Sequence, residues 1–232
     1  MYKGVPSGYI IEGHKLSSGD GVIFRTIYDE IRNKFSNEAD AFDTQDISFV
    51  AAAAAPLPIM ESHFTDDEIK TTISTILQLS KDRTAESMEE AAHMLYDISM
   101  YDGLQQYLCT PAVMDFLTAV LSEDDDLFDN AKNCAVLTMA NISESIVGQA
   151  AVVDAGSVPT IMKLACNGSY GTIEMRRESA RILANVATKL SSRVAAAMSV
   201  AELEAWANSV DDIEDDRLRM HAERAKTMLL AV

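Results

Sequence analysis

Apolar and small residues recur at helical spacing through the middle of the chain. The clearest stretch runs from Asn133 to Leu164, where an apolar helix is followed by a break at Asp154-Ala155-Gly156 and a second apolar run. One face of the first helix carries the residues Ala135, Thr138, Met139 and Ile142. Apolar positions three and four residues apart are typical of an amphipathic α-helix. The pattern therefore predicts helices joined by a tight corner.

The same pattern recurs with a step of 44 residues. Asn141 lies in the run MANIS, Asn185 lies 44 residues later in LANVA, and Asp97 lies 44 residues earlier in LYDIS. Leu229, in the run MLLAV, is expected to continue this register to the fourth copy. A sustained period of about 40–47 residues is typical of helical arrays of the HEAT and armadillo kinds. Each unit has an apolar face that it cannot bury alone, so we expect neighbouring units to stack.

Asn133–Leu164 resembles an armadillo repeat, a family in which a helix ending in L-x-N-L/I-S is followed by a V-V-D-A-G corner and a V-P helix. The run Val153–Pro159 (VDAGSVP) is the most specific part of the resemblance. The resemblance covers about residues 65–232 and implies an all-α fold, a short right-handed armadillo-like α-solenoid with an N-terminal extended arm and capping helices. We therefore expect an arm and amphipathic helix region over residues 1–64 and a repeat domain over 65–232.

The N-terminal region allows more than one interpretation. Residues 1–20 are rich in Gly and Ser, which predicts an extended arm that is either unattached or ordered against a neighbouring chain. Val22–Phe35 has the spacing of an amphipathic helix, which could cap the first repeat or dock on a partner. Further on, Thr65 and Glu68 form a capping box that predicts the start of a helix over Ile69–Leu79.

Composition and charge restrict the class of partner. The chain is 48% hydrophobic with a formal net charge of −17, and this charge disfavours binding to nucleic acid. The acidic balance fits a protein partner with basic or extended segments, although solubility alone also accounts for it. There is no apolar run of about 18 residues, so we expect no membrane span. With no long apolar segment at the start, the chain is expected to be intracellular, either cytoplasmic or organellar, with mitochondria included.

Residues with catalytic or metal-binding chemistry do not form recognisable motifs. The cysteines, which have no C-x-x-C spacing and are expected to be buried free thiols, are Cys109, Cys134 and Cys166. No histidine has a ligand partner of the right type for a metal site three or four residues away, and the acidic clusters at residues 123–126 and 211–216 lack the spacing of a calcium loop. We therefore expect a protein that is not an enzyme, with no catalytic residue, cofactor or metal.

The armadillo resemblance implies a concave groove lined by the third helix of each unit, where an Asn binds the backbone of an extended partner peptide. Asn141 and Asn185 match that Asn, and Asp97 replaces it in the preceding unit. A side-chain amide offers both a donor and an acceptor to an extended chain. Alternatively, each Asn stabilises its own helix end or the turn between repeats.

Armadillo proteins that carry nuclear-import cargo place a Trp four residues before that Asn, where this chain has Leu137 and Arg181. We therefore do not expect a receptor for nuclear signals. The groove is expected to use the residues Asn141, Asn185, Asp97, Leu137 and Arg181.

Two functions follow from this reading. The first is a protein–protein interaction scaffold that binds a partner chain in its groove. The second is a structural subunit of a larger organellar or cytoskeletal assembly that docks through its N-terminal arm.

Overall fold

The computed structural model describes the part of the chain that contains the repeats. The described residues are 65–166, 172–197, 205–206, 208 and 215–230. The predicted arm, the helix predicted over Val22–Phe35 and the boundary between residues 64 and 65 therefore lie outside or at the edge of the described residues. The same holds for most of the acidic cluster at 211–216.

Helices connected by short loops make up this part of the chain, and none of the described residues lies in a strand. The helices are α1 Asp66–Leu79, α2 Ala85–Ser99, α3 Asp102–Leu108, α4 Pro111–Leu121, α5 Asp129–Ile142, α6 Ile146–Asp154, α7 Val158–Cys166, α8 Ile173–Ala196 and α9 Asp216–Leu229. Single 3-10 turns lie at Ser80–Asp82 and Asp126–Phe128.

The helices follow one another in units of three. In the two complete units a short first helix (α3, α6) leads to a second helix (α4, α7) and then to a longer third helix. The third helices are α5 and the part of α8 before Leu190, where φ of −126° and ψ of 27° interrupt the helix. By position, α1 and α2 are the second and third helices of an earlier unit, and α9 is the third helix of a later one. The third helices pack in series, α2 against α5, α5 against α8 and α8 against α9. The helical repeat predicted from the 44-residue step is therefore confirmed.

The first described helix begins as its capping box predicts. The Oγ1 atom of Thr65 accepts a hydrogen bond from the Glu68 amide at 3.3 Å, and Glu68 Oε2 accepts one from the Thr65 amide at 2.8 Å. These bonds satisfy amide groups that have no partner inside the helix. Beyond the cap, Ile69, Ile73 and Ile76 are buried along one stripe of α1. The box fixes where the helix starts, and the stripe fixes which side faces the core.

The corner between α6 and α7 depends on Gly156. Its φ of +68° lies in the left-handed region, which a residue without a Cβ adopts without steric cost. The chain can therefore leave α6 after Asp154 and start α7 at Val158. The equivalent corner before α4 uses Thr110 as the N-cap and Pro111 in the first turn. Proline fits there because the first-turn amide has no helical partner.

The core between the helices is aliphatic and rich in Met and Ala. The predicted face of α5 is buried throughout, with Ala135, Thr138, Met139 and Ile142 all at 0% exposure. Small residues such as Ala135 and Ala184 let the third helices approach closely, while Met139 fills the remaining space.

The cysteines do not all follow the prediction of buried thiols. Cys166 is exposed at the end of α7, and Cys109 and Cys134 are only partly buried. The prediction is wrong for Cys166 because it follows the buried residues as the last residue of the helix. The buried residues of α7 are Val158, Ile161, Met162, Leu164 and Ala165. Partial burial, with smaller contributions from Asp97 and Glu89, raises the pKa of Cys134 to about 11.

Two glycines in first helices provide a matched test of the packing. A Cβ on Gly148, in α6, would lie 1.8 Å from the carbonyl oxygen of Ile142, whereas a Cβ on Gly103, in α3, would have no atom within 4 Å. We expect Gly148→Ala to lower the free energy of unfolding by about 1–3 kcal/mol because the backbone must shift. Gly103→Ala should raise it by about 0.5–1 kcal/mol through helix propensity.

Urea unfolding of both variants beside the parent chain makes this measurement. Equal effects of the two substitutions would contradict the described packing of α6 on the end of α5.

Candidate protein-binding face

Residues at four equivalent positions on each third helix form one continuous face. The positions are spaced i, i+4, i+7 and i+11, which places them on one side of a helix. We call this set the third-helix face. It comprises Glu86, Glu90, His93 and Asp97 of α2, Asn130, Cys134, Leu137 and Asn141 of α5, Glu174, Glu178, Arg181 and Asn185 of α8, and Arg217, His221, Arg224 and Met228 of α9. Every one of these residues is exposed or partly exposed.

The fourth unit is shorter than the 44-residue step predicts. Leu229 was expected at the position of Asn185, but it is 2% exposed and belongs to the buried stripe of α9. Met228, which is 38% exposed, occupies that position on the third-helix face. The prediction for Leu229 is wrong because the chain between α8 and α9 is one residue shorter, so that Arg224 lies 43 residues after Arg181.

Asn141 connects three repeats through its side-chain amide. Its Nδ2 donates a hydrogen bond to Ser99 Oγ in the preceding repeat at 3.0 Å, and its Oδ1 accepts one from Arg181 Nη2 in the following repeat at 3.1 Å. Ser99 is 0% exposed, which places the amide at the floor of the face. The Nδ2 also lies 3.6 Å from Met100 Sδ, a weaker contact.

Asn185 repeats this arrangement one unit later. Its Nδ2 donates to Ser143 Oγ at 3.0 Å, and its Oδ1 accepts from Arg224 Nη2 at 2.7 Å. Ser143 is 0% exposed, as is Ser99 at the equivalent position. We call the two sets of bonds the Ser–Asn–Arg ladder. In the next unit Ala187 replaces the serine, and Met228 replaces the asparagine that would have bonded to it.

The first repeat departs from the ladder. Asp97 stands at the asparagine position, and its carboxylate lies 3.5 Å from His93 Nδ1 on the same helix. Leu137 stands where Arg181 and Arg224 stand in the later repeats, so it brings no guanidinium to Asp97. The structure thus brings Asn141 and Arg181 into direct contact. Leu137 is a partly buried apolar residue that lies between the polar residues of the first repeat and those of the later repeats.

Arginines gather at the end of the face formed by α8 and α9. The Arg181 guanidinium is 2.6 Å from Glu178 Oε2 and 3.0 Å from Glu144 Oε1. Partial burial lowers the pKa of His221, and the nearby charges of Arg224, Arg181 and Arg217 lower it further. The sequence motif does not mark Arg217, His221 and Arg224 because their repeat has no Asn, although their spacing of four and three residues places them on one face.

A separate ion pair attaches α9 to α8. Arg177 forms two hydrogen bonds to Asp215, from Nε to Oδ1 at 3.0 Å and from Nη2 to Oδ2. As the N-cap of α9, Asp215 Oδ1 also accepts a hydrogen bond from the Leu218 amide at 2.9 Å. These bonds hold the pKa of Asp215 well below its usual range. The pair therefore fixes the start of α9, and with it the position of Arg217, relative to α8.

The same part of the chain carries little other site chemistry. Among the described residues no group of His, Cys, Asp and Glu is arranged to hold a metal ion. None of the described helices combines the length and the hydropathy that crossing a membrane requires. Trp206, the only tryptophan of the sequence, is 3% exposed and belongs to the core.

The ladder predicts a specific pattern of stability. We expect Asn141→Ala and Asn185→Ala each to lower the free energy of unfolding by about 1–2 kcal/mol, because each removes hydrogen bonds to two neighbouring repeats. The matched control is Asn130→Ala, since exposed Asn130 donates a single bond to Glu89 at 3.1 Å.

Urea unfolding gives the comparison, and a double-mutant cycle between Asn185→Ala and Arg224→Ala should show a coupling of about 0.5–1 kcal/mol. A coupling of zero would mean that the bond between these residues contributes nothing in solution.

The lowered pKa of His221 predicts a loss of stability on acidification. Because the folded chain holds this proton less tightly than the unfolded chain, protonation favours the unfolded state. The contribution is complete above the unfolded pKa of about 6.5 and is lost as the pH falls from that value through the lower folded pKa. Between neutral and mildly acidic pH, the free energy of unfolding should therefore fall more for the parent chain than for His221→Gln. Identical pH dependence in the two proteins would refute the role of His221.

Comparisons with known proteins identify the fold. No protein-family model matches the sequence, and no curated protein is significantly similar to it. An engineered protein from a structural genomics consortium superposes with a TM-score of 0.57 at 23% identity, covering 72% of this chain and 68% of that chain.

Designed armadillo repeat proteins superpose equally well. One, in complex with the peptide (KR)4, has a TM-score of 0.56 at 18% identity, covering 70% of this chain and 68% of its own. Another, computationally designed for modular peptide recognition, has a TM-score of 0.56 at 17% identity, covering 71% and 69%. The protein therefore has an all-α, armadillo-like repeat fold.

Proposed function

We propose that this protein is a non-catalytic interaction scaffold that holds an extended segment of another protein along the third-helix face. The observation that carries the proposal is the Ser–Asn–Arg ladder, which fixes polar side chains at regular steps on consecutive helices. Side chains that are already fixed lose little conformational entropy when a partner binds. Two structural neighbours support the proposal, one in complex with a peptide and one designed for modular peptide recognition.

The ladder leaves Asn185 with unused hydrogen-bonding capacity. A side-chain amide has two N–H donors and two lone pairs on its oxygen. The ladder uses one N–H, to Ser143, and one lone pair, from Arg224. One donor and one acceptor therefore remain for the backbone of an extended segment. At Asn141 the second N–H points to Met100 Sδ, a weak acceptor that a backbone carbonyl would displace. On this proposal each asparagine both holds neighbouring repeats and binds the partner.

The length of the face sets the length of the segment. Packed helices lie about 8–10 Å apart, so the three steps from α2 to α9 span roughly 24–30 Å. An extended chain advances about 3.3 Å per residue, and about eight or nine residues cover that distance. Leu137, near the middle, would receive an apolar side chain of the segment between two polar regions.

Photo-crosslinking tests where the partner binds. A photoreactive residue replaces Leu137 on the third-helix face, and in a control protein it replaces Asp115, which is exposed on the second helix α4. Each protein is irradiated in an extract of its source cells, and the crosslinked peptides are identified by mass spectrometry. We expect position 137 to crosslink to one short segment of a partner, with Leu137→Arg lowering partner recovery at least about tenfold, as expected for a hot-spot position. If the partner instead crosslinks at position 115, and Leu137→Arg does not change the amount recovered, the proposal is contradicted.

The alternative, a structural subunit that docks through the arm over residues 1–20, remains a prediction. It differs in outcome, because deleting those residues would then abolish partner recovery while Leu137→Arg would not.

A further inference from the structure

Charge changes sign along the third-helix face. In the first repeat the face carries Glu86, Glu90 and Asp97, and α2 contains no Lys or Arg. In the fourth repeat it carries Arg217 and Arg224, with His221 between them. The second repeat contributes only neutral residues to the face, and the third carries Glu174 and Glu178 beside Arg181. The face is therefore acidic at one end and basic at the other, in a protein whose formal net charge is −17.

Guanidinium groups at the basic end are available to a ligand. Arg217 is exposed, and within the described part of the chain neither it nor Arg224 forms an ion pair with a carboxylate. Arg224 donates to the neutral amide of Asn185, so its charge is not offset there. Arg181 differs, since Glu178 and Glu144 neutralise it. The basic character of this end therefore resides in α9.

Neighbouring groups confirm a positive local field at this end. His221 lies between Arg217 and Arg224 on the same side of α9, and its Nδ1 is buried without a hydrogen-bond partner among the described residues. Partial burial and the charges of three nearby arginines lower the pKa of this ring. A carboxylate that approached Arg217 and Arg224 from solvent would meet two guanidinium groups that form no ion pair with a described carboxylate.

We infer that the segment bound along the third-helix face is itself bipolar, with basic side chains over the first repeat and acidic side chains over the fourth. This inference rests on the proposed function and names the chemistry of its partner. Arginine forks bind carboxylates in a defined, often bidentate geometry, whereas the carboxylates of α2 accept Lys or Arg. An acidic side chain placed over α2, or a basic one over α9, is repelled, so the two ends fix the direction in which the segment lies.

This partner differs from the purely basic one that net charge alone favours. A uniformly basic segment gains contacts at Glu86, Glu90 and Asp97 but meets Arg217 and Arg224 at the other end. A segment that changes sign gains at both ends. The distribution of charge along the third-helix face, and not the net charge of the protein, therefore selects the partner.

Peptide selection tests the inference without a known partner. Random peptides of about twelve residues, long enough to cover the face, are selected on the immobilised full-length chain, on Arg217→Glu and on Arg219→Glu. Arg219 is the matched control, because it lies two residues along α9 from Arg217, off the face, and pairs with Asp216. A fourth selection uses Leu137→Arg, which blocks the middle of the face.

We expect the parent chain and Arg219→Glu to select peptides with basic residues at one end and acidic residues at the other. Arg217→Glu should lose the acidic end of that preference and bind the parent-selected peptides about tenfold more weakly, with a weaker dependence on salt. Circular dichroism of each variant establishes that the fold is retained.

The remaining outcomes separate the inference from the proposed function. Two results would overturn the inference alone, both obtained with peptides that bind the parent chain but not Leu137→Arg. Either the peptides show no charge polarity, or Arg217→Glu and Arg219→Glu change their binding equally. Peptides that Leu137→Arg binds as well as the parent, or an empty selection, overturn the proposed function and the inference with it.

Discussion

The structure depends on side-chain bonds between residues about one repeat apart in the sequence. Tyr107 donates to Asp66 at 2.6 Å, Thr118 and Ser157 share a hydrogen bond of 2.7 Å, and Arg83 pairs with Glu123 at 2.9 Å. Together with the Ser–Asn–Arg ladder, these contacts connect each unit to its neighbours. Since no unit buries its apolar face alone, its geometry is set by the units on either side.

The parts of the fold that the sequence could predict are those in which a local signal coincides with a structural requirement. Gly156 was identifiable because the corner after α6 needs a left-handed residue, and Thr65 because a helix start needs a cap. Leu229 was misplaced because a period fitted to three copies does not detect a one-residue shortening. Only burial distinguishes Leu229 from the neighbouring Met228.

The candidate site was predictable only in part, for a related reason. Asn141 and Asn185 share a motif, so their equivalence was visible in the sequence, but their bonds to Ser99 and Ser143 are formed across the repeat interface. Cross-repeat partners become apparent only when the helices are stacked. Arg224 was missed because its repeat lacks the Asn that marked the others, although Arg181 holds the same place one unit earlier. The net charge also concealed the basic end of the face, since a sum over the chain carries no information about position.

Each asparagine of the ladder is expected to stabilise the neighbouring repeats as well as its own helix. Backbone hydrogen exchange of Asn141→Ala, compared with the parent chain, tests it most directly because exchange reports stability helix by helix. We predict faster exchange at the C-terminal end of α2 and in the first half of α8, where Ser99 and Arg181 lose their partner, with α9 unchanged. Faster exchange confined to α5 itself would contradict it, because the asparagine would then stabilise only its own helix.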